Sequence, residues 1–172
     1  MTGHLHRSPT PLPGDDFHTD RAGIFLAGSI EMGKAELWQP RAAEALLARG
    51  WDVYDPRRDD WDPTWEQSIG NPIFRAQVEW ELTGLELAHK VLMYLQPGTM
   101  SPISLMELGL VAGNGRQTVV VCPDGFWRKG NVDVICARNG CPVFQTLDEA
   151  IAEIGDPPDW SYDQDGPTLT ER

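Results

Sequence analysis

Lys90-Val91-Leu92-Met93-Tyr94-Leu95-Gln96-Pro97-Gly98-Thr99-Met100-Ser101-Pro102-Ile103-Ser104-Leu105-Met106-Glu107-Leu108-Gly109 passes from an apolar run through a polar loop into a second apolar segment. Lys90 to Leu95 reads as a buried strand, because a short continuous apolar run bounded by turn residues suits a sheet covered on both faces. Pro102 then opens a helix to about Val111, since proline is preorganised for the first helical position. Gly113 and Gly115 end it.

The same alternation extends in both directions. Upstream, Ile24-Phe25-Leu26-Ala27 is an apolar strand ending in Gly28-Ser29, followed by a helix over Ala35 to Arg49 with Trp38, Ala42, Ala45 and Leu46 on one face. Trp51 to Tyr54 is a second strand, Asp55 to Gln67 a polar loop, and Asn71-Pro72 a cap and first turn for a helix reaching about Ala88. Downstream, Thr118 to Cys122 and Pro142-Val143-Phe144 are strands, and Thr146-x-x-Glu149 is a capping box for the last helix. Strands alternating with helices predict an α/β fold of three layers, a five-stranded parallel sheet between helices. In such a sheet, ligands bind beyond the carboxyl ends of the strands, at a reversal of strand order.

The chain has 172 residues, enough for one domain, with 41% hydrophobic and 23% charged residues. Its formal charge of −12 argues against a nucleic-acid polymer as partner, which would call for a basic face. The two ends, residues 1–20 and 148–172, carry −9 of that charge, so a small anionic substrate near the middle is electrostatically tolerable. Proline-rich, aperiodic ends predict a flexible tail over 1–20 and an acidic tail over 156–172 around a folded domain at 21–155, with Trp160 and Tyr162 able to dock the second tail. No apolar run is long enough for a membrane span, and the first residues lack a secretory apolar core. Cys122, Cys136 and Cys141 form no C-x-x-C pair, which favours a reduced cytoplasmic protein without disulfides or a metal site.

Three segments after strands carry chemistry. In Gly28-Ser29-Ile30-Glu31-Met32-Gly33-Lys34, glycines permit close backbone approach and Ser29 adds a hydroxyl at a helix N-terminus, suited to an anion or a sugar hydroxyl. The segment is neither a Walker loop nor a dinucleotide fingerprint, and it is equally readable as an ordinary turn. In the loop Asp55-Pro56-Arg57-Arg58-Asp59-Asp60-Trp61-Asp62, Arg57 and Arg58 beside Trp61 suit a flat polar heterocycle; paired surface charges are the plainer reading. Glu107 lies in an apolar helix whose N-terminus faces the crevice, a setting that suits a nucleophile. Ser104-x-x-Glu107 is also a capping-box pattern, which would make Glu107 structural.

Phe25-Leu26-Ala27-Gly28-Ser29-Ile30, Pro56-Arg57-Arg58-Asp59-Asp60-Trp61, Gln77-Val78-Glu79-Trp80-Glu81, Ser101 to Gly109 and Gly130-Asn131-Val132 occur in this order. Together, over about residues 23–154, they resemble the nucleoside 2-deoxyribosyltransferase family, and most its deoxyribosyltransferase-like branch. The resemblance implies a flavodoxin-like fold, no cofactor, and cleavage of the N-glycosidic bond of a small-molecule nucleoside or nucleotide through a covalent glycosyl-enzyme. It implies Glu107 as nucleophile, Glu81 as the carboxylate that holds sugar hydroxyls, and Asn131 as a residue reaching a neighbouring subunit's site, hence a homodimer or larger. Ser101 stands where the transferases carry an aspartate and resembles the phosphate-contacting serine of the related hydrolases of nucleoside 5′-monophosphates. Phe25 stands where many members have a tyrosine that touches the nucleophile. A non-catalytic nucleotide-binding or sensor module on the same fold is the competing class.

Overall fold

The computed structural model describes residues 2–13, 21–30 and 35–158. Six parallel strands form one sheet: β1 (Leu5–Arg7), β2 (Gly23–Gly28), β3 (Asp52–Asp55), β4 (Lys90–Tyr94), β5 (Gln117–Val121) and β6 (Val143–Phe144), in the order β1-β3-β2-β4-β5-β6. The helices are α1 (Gln39–Ala48), α2 (Pro72–Leu87), α3 (Pro102–Gly113), α4 (Lys129–Asn139) and α5 (Leu147–Ile154).

Strand alternation divides the core into two layers. Phe25 and Ala27 of β2, Val91 and Met93 of β4 and Val120 of β5 pack with Leu85 of α2, Leu108 and Val111 of α3 and Val132 and Cys136 of α4. Ile24 and Leu26, Leu92, and Val119 and Val121 face the other way, onto Trp38, Ala42 and Leu46 beside and within α1, and Ala150 and Ile151 of α5. Because successive side chains point to opposite faces, continuous apolar runs are required wherever both faces are covered. The fold is therefore the three-layer flavodoxin-like α/β arrangement expected.

The sheet has six strands, not five. The extra one, Leu5–Arg7, lies in the stretch read as an N-terminal tail; it pairs with β3 in the register Leu5↔Val53, His6↔Tyr54, Arg7↔Asp55. Only three residues long, it has no buried apolar pattern to reveal it. Polar contacts hold it instead: Arg7 Nε lies 3.2 Å from Asp55 Oδ2, and the backbone N–H of His4 donates to Asp52 Oδ1 at 2.8 Å. Residues 14–20, Glu31 to Lys34, and the acidic end from Asp159, with Trp160 and Tyr162, lie outside the described residues.

Helix α4 is a second departure. Gly130-Asn131-Val132 falls in its first turn, where no helix is expected from the sequence. Only Val132 and Cys136 of this helix are buried, so its apolar stripe is two residues wide and leaves little periodic signal. The caps agree with expectation: Asn71 Oδ1 accepts from the N–H groups of Ile73 and Phe74 at 3.1 and 3.4 Å, and Thr146 and Glu149 form a reciprocal capping box.

Strand order reverses between β2 and β4, since β2 leads to β3 on one side while β4 starts the other wing. That reversal opens the crevice where α/β proteins bind ligands.

Candidate active site

The carboxyl ends of β2 and β4 meet closely. Gly28 has φ +139°, and a Cβ there would stand 2.2 Å from the Tyr94 carbonyl oxygen, so only glycine fits. The tight approach lets the Ser29 N–H donate to the Tyr94 carbonyl at 2.8 Å and carries Ser29 into the loop after β4. There the Ser29 hydroxyl lies 2.6 Å from that of Ser101 and 2.9 Å from that of Thr99, and Thr99 and Ser101 are 2.8 Å apart. Gln96 N–H donates to Ser29 Oγ, Thr99 Oγ1 donates to the Gln96 carbonyl, and Trp38 Nε1–H donates to the Ser29 carbonyl. Three hydroxyls thus share one corner, with the Thr99 proton directed to a carbonyl and two protons left for the remaining contacts.

Ser101 is the one non-glycine residue with positive φ among the described residues, at +43°. That conformation costs a side-chain-bearing residue about 1–2 kcal/mol. It turns the chain into α3, and the Ser101 side chain makes no capping bond to the helix.

Because α3 starts at Pro102, Ser104 is inside the helix and is not its N-cap, so Ser104 and Glu107 do not make a capping box. Glu107 is instead half-buried in the second turn, and no side-chain hydrogen bond holds its carboxyl among the described residues. Burial pushes this carboxyl up to about 8, and the negative charge of Glu81 adds to the shift. Glu81, on α2, is raised by burial as well, opposed by a hydrogen bond from Gln77 Nε2 to Glu81 Oε1 at 2.8 Å. The charge of Glu81 on α2 thus adds to burial in opposing ionisation of Glu107 on α3.

The arginine loop is divided. Arg58 is turned to its own loop, forming two hydrogen bonds with Asp60 at 2.9 and 2.8 Å and lying over the Trp65 ring, which Trp61 meets edge-on. Asp59 is exposed, 3.8 Å from Arg7. Arg57 differs: its backbone N–H donates to Asp55 Oδ1, while its Nη1 is buried with no hydrogen-bond partner among the described residues. No hydrogen bond or ion pair joins Arg58, Asp59 or Trp61 to either carboxylate among the described residues. Ile30 is half-buried at the end of the β2 loop. Asn131 is exposed on α4, in a groove of about 250 Å³ with Leu105, Leu108, Arg128, Val132 and Ile135. Phe25 is fully buried against Trp80, with ring centroids 6.3 Å apart.

Gln77 is the site residue that reading the sequence missed. Its segment drew notice for its glutamates, and a glutamine has no signature of its own. Among the described residues, no group of three or more His, Cys, Asp or Glu side chains is arranged to hold a metal ion.

A family model described as nucleoside 2-deoxyribosyltransferase like matches residues 21–126, more than half of the chain. The chain belongs to that family. The family match begins just before β2 and ends after β5, so it contains the β2 and β4 corner, the arginine loop and both carboxylates. No curated protein matches the chain in sequence. Among solved structures, a conserved protein from Enterococcus faecalis V583 is similar at 13% identity and a TM-score of 0.58, covering 78% of this chain and 97% of its own. The Clostridium botulinum CMP N-glycosidase BcmB is similar at 13% identity and a TM-score of 0.45, covering 77% of this chain and 97% of its own. At that identity the likeness to the Enterococcus protein is one of fold. No helix among the described residues is long and apolar enough to cross a membrane.

Proposed function

We propose that this protein cleaves the N-glycosidic bond of a nucleoside or nucleoside 5′-monophosphate, with Glu107 as the nucleophile. The observation that carries this reading is the Glu81–Glu107 pair at the strand reversal, with Glu107 raised to about 8 by burial and by its neighbour's charge. A pure binding module gains nothing from a desolvated carboxylate, whereas a nucleophile is made more reactive by losing its water.

In the first step a Glu107 carboxylate oxygen bonds to the anomeric carbon while the C–N bond breaks, and its electron pair leaves on the base. The leaving base takes up a proton or hydrogen bond; Arg57, with an unpartnered Nη1, is the loop residue best suited to supply that contact. Positive charge developing on the sugar ring is balanced by the two carboxylates. In the second step water or another base attacks the same carbon and releases Glu107. Water gives hydrolysis and a second base gives transfer, and two displacements retain configuration.

The hydroxyl corner favours the 5′-monophosphate among substrates. Ser29 and Ser101 adjoin the uncapped N-terminus of α3, where N–H groups and the helix dipole attract an anion. The site is proposed to act in a homo-oligomer, with Asn131 of one copy completing the pocket of the next. An exposed apolar face supports this: Ile103, Met106 and Leu110 follow helical spacing on α3, beside Val134 and Ile135 on α4. A panel of nucleosides and 5′-monophosphates, incubated with and without an acceptor base and resolved by chromatography, tests the reading. Release or exchange of base is expected; an unchanged panel at high enzyme concentration contradicts it.

A further inference from the structure

Gln77 is buried in α2, with both amide hydrogens and the amide oxygen engaged. Its Nε2 donates to the Pro56 carbonyl at 2.9 Å and to Glu81 Oε1 at 2.8 Å, and its Oε1 accepts from the hydroxyl of Ser8 at 2.5 Å. A carbonyl and a carboxylate both require the NH₂ end, so the remaining end must be met by a donor. Ser8 is that donor. It is buried and lies one residue beyond β1, where its N–H continues the ladder to the Asp55 carbonyl at 3.1 Å.

The rest of this N-terminal segment follows α2. The Thr10 carbonyl accepts from Trp80 Nε1 at 2.8 Å, and Leu12 packs onto the core layer that contains Phe25 and Leu85. Residues 5–12 thus run beside the helix that carries Gln77, Trp80 and Glu81, and the ion pair of Arg7 with the fully buried Asp55 sets the register. Residues 5–12 lie outside the part of the chain matched by the family model, which starts at residue 21.

We propose that β1 is part of the active site, with Ser8 and Gln77 acting as positioning residues that aim Glu81 at Glu107; this rests on the reading of Glu81 and Glu107 as the reacting pair. The Pro56 carbonyl and Glu81 fix which way the Gln77 amide points, and Ser8 donates to the oxygen that this leaves on the other side. With the amide so held, an N–H faces Glu81 and stabilises its charged form. Without Ser8 the buried amide oxygen has no donor, the polarisation that strengthens the opposite N–H is lost, and the charged form of Glu81 is held less well. The strand therefore transmits its own docking to the carboxylate that orients the sugar.

The test is the titration of Glu81 itself, followed by carboxyl carbon NMR in the full chain, together with turnover of the nucleoside and monophosphate panel. Ser8→Ala is expected to raise the Glu81 pKa and to lower kcat about tenfold, the scale of one lost hydrogen bond. Ser8→Thr, which keeps the hydroxyl, restores both. Gln77→Met reproduces the pKa change, and adding Ser8→Ala to it moves the Glu81 pKa no further, because the relay is already broken. Glu81 titrating alike in the unmodified protein, Ser8→Ala and Gln77→Met overturns the proposal even if substrate is turned over. A Glu81 shift in the variants, with no turnover by the unmodified protein, leaves the relay standing and overturns the enzymatic reading instead.

Discussion

The hydroxyl of Ser29 lies 2.6 Å from the hydroxyl of Ser101, joining the ends of β2 and β4 across the reversal of strand order. Gly28 makes this possible by bringing the two strand ends together, and the positive φ of Ser101 directs α3 away from the same point. The proposed anion corner and the helix of the proposed nucleophile therefore lie within a few residues of the strained Ser101 backbone, as strain at functional sites commonly does.

Removing the Ser101 hydroxyl should act on phosphate more than on sugar or base. Losing one charged hydrogen bond costs ~1.5–3 kcal/mol, so Ser101→Ala is expected to lower kcat/KM for 5′-monophosphates by about one to two orders of magnitude. Free nucleosides should be used as before. Equal losses on both substrate classes, measured by steady-state kinetics, would show that Ser101 serves only the loop.

The carboxylate pair sets a pH dependence. Glu107 must be ionised to attack, and its raised pKa of about 8 places the acid limb of kcat/KM above the usual carboxylate range. Glu81→Gln removes a neighbouring negative charge, so the limb should move to lower pH by about one unit, whatever happens to the maximal rate. A limb that stays in place, or moves upward, contradicts the pairing.

The same shift affects stability. Between the ordinary pKa of 4.5 and the folded value of about 8, the folded chain keeps a proton on Glu107 that the unfolded chain releases. Stability therefore falls as pH rises through that window. Glu107→Gln removes the loss, so its melting temperature should exceed that of the unmodified protein by ~5 °C or more at pH 9 and by less at pH 5. Melting curves with the opposite trend would show that Glu107 is not desolvated.

Gly28→Ala should be among the most damaging single changes. Its Cβ would meet the Tyr94 carbonyl oxygen at 2.2 Å, and its φ of +139° disfavours any side chain. Parting β2 from β4 there breaks the Ser29 corner as well, so a loss of ~3 kcal/mol or more is expected in denaturant unfolding. A near-normal midpoint would mean that the strand ends adjust freely.

An oligomer is expected in solution, held by the exposed face of α3 and α4. Met106 is 65% exposed despite its apolar side chain, and Met106→Asp should lower the mass seen by light scattering and reduce turnover together. A fully active monomer would separate Asn131 from the site of its neighbour and remove that part of the reading.

What was legible in the sequence follows burial. β2, β4 and β5 are covered on both faces, and their apolar runs announced them; Asn71-Pro72 and Thr146-x-x-Glu149 announced their helices through backbone capping that is local by nature. β1 was hidden because it is held by a backbone ladder and by Asp52 and Asp55, partners 48 residues distant. Its role beside α2 depends on pairing that no local pattern encodes. Of the candidate site, Ser29 and Ser101 are legible from their places after β2 and β4, and Glu81 and Glu107 from motif resemblance. For Arg58 and Trp61 the sequence is silent on direction, because charge and aromaticity in a loop look alike whether turned to a ligand or, as here, to Asp60 and Trp65. Gln77 escaped notice since its importance lies in three contacts made to distant segments and to the next turn of its own helix.

The most direct measurement is peptide-resolved mass spectrometry of the protein quenched during incubation with the nucleoside and 5′-monophosphate panel. A pentosyl or phosphopentosyl adduct on the Glu107 side chain, absent from Glu107→Ala together with all base release, is the predicted result. Base release that continues undiminished in Glu107→Ala would contradict the assignment of Glu107 as nucleophile.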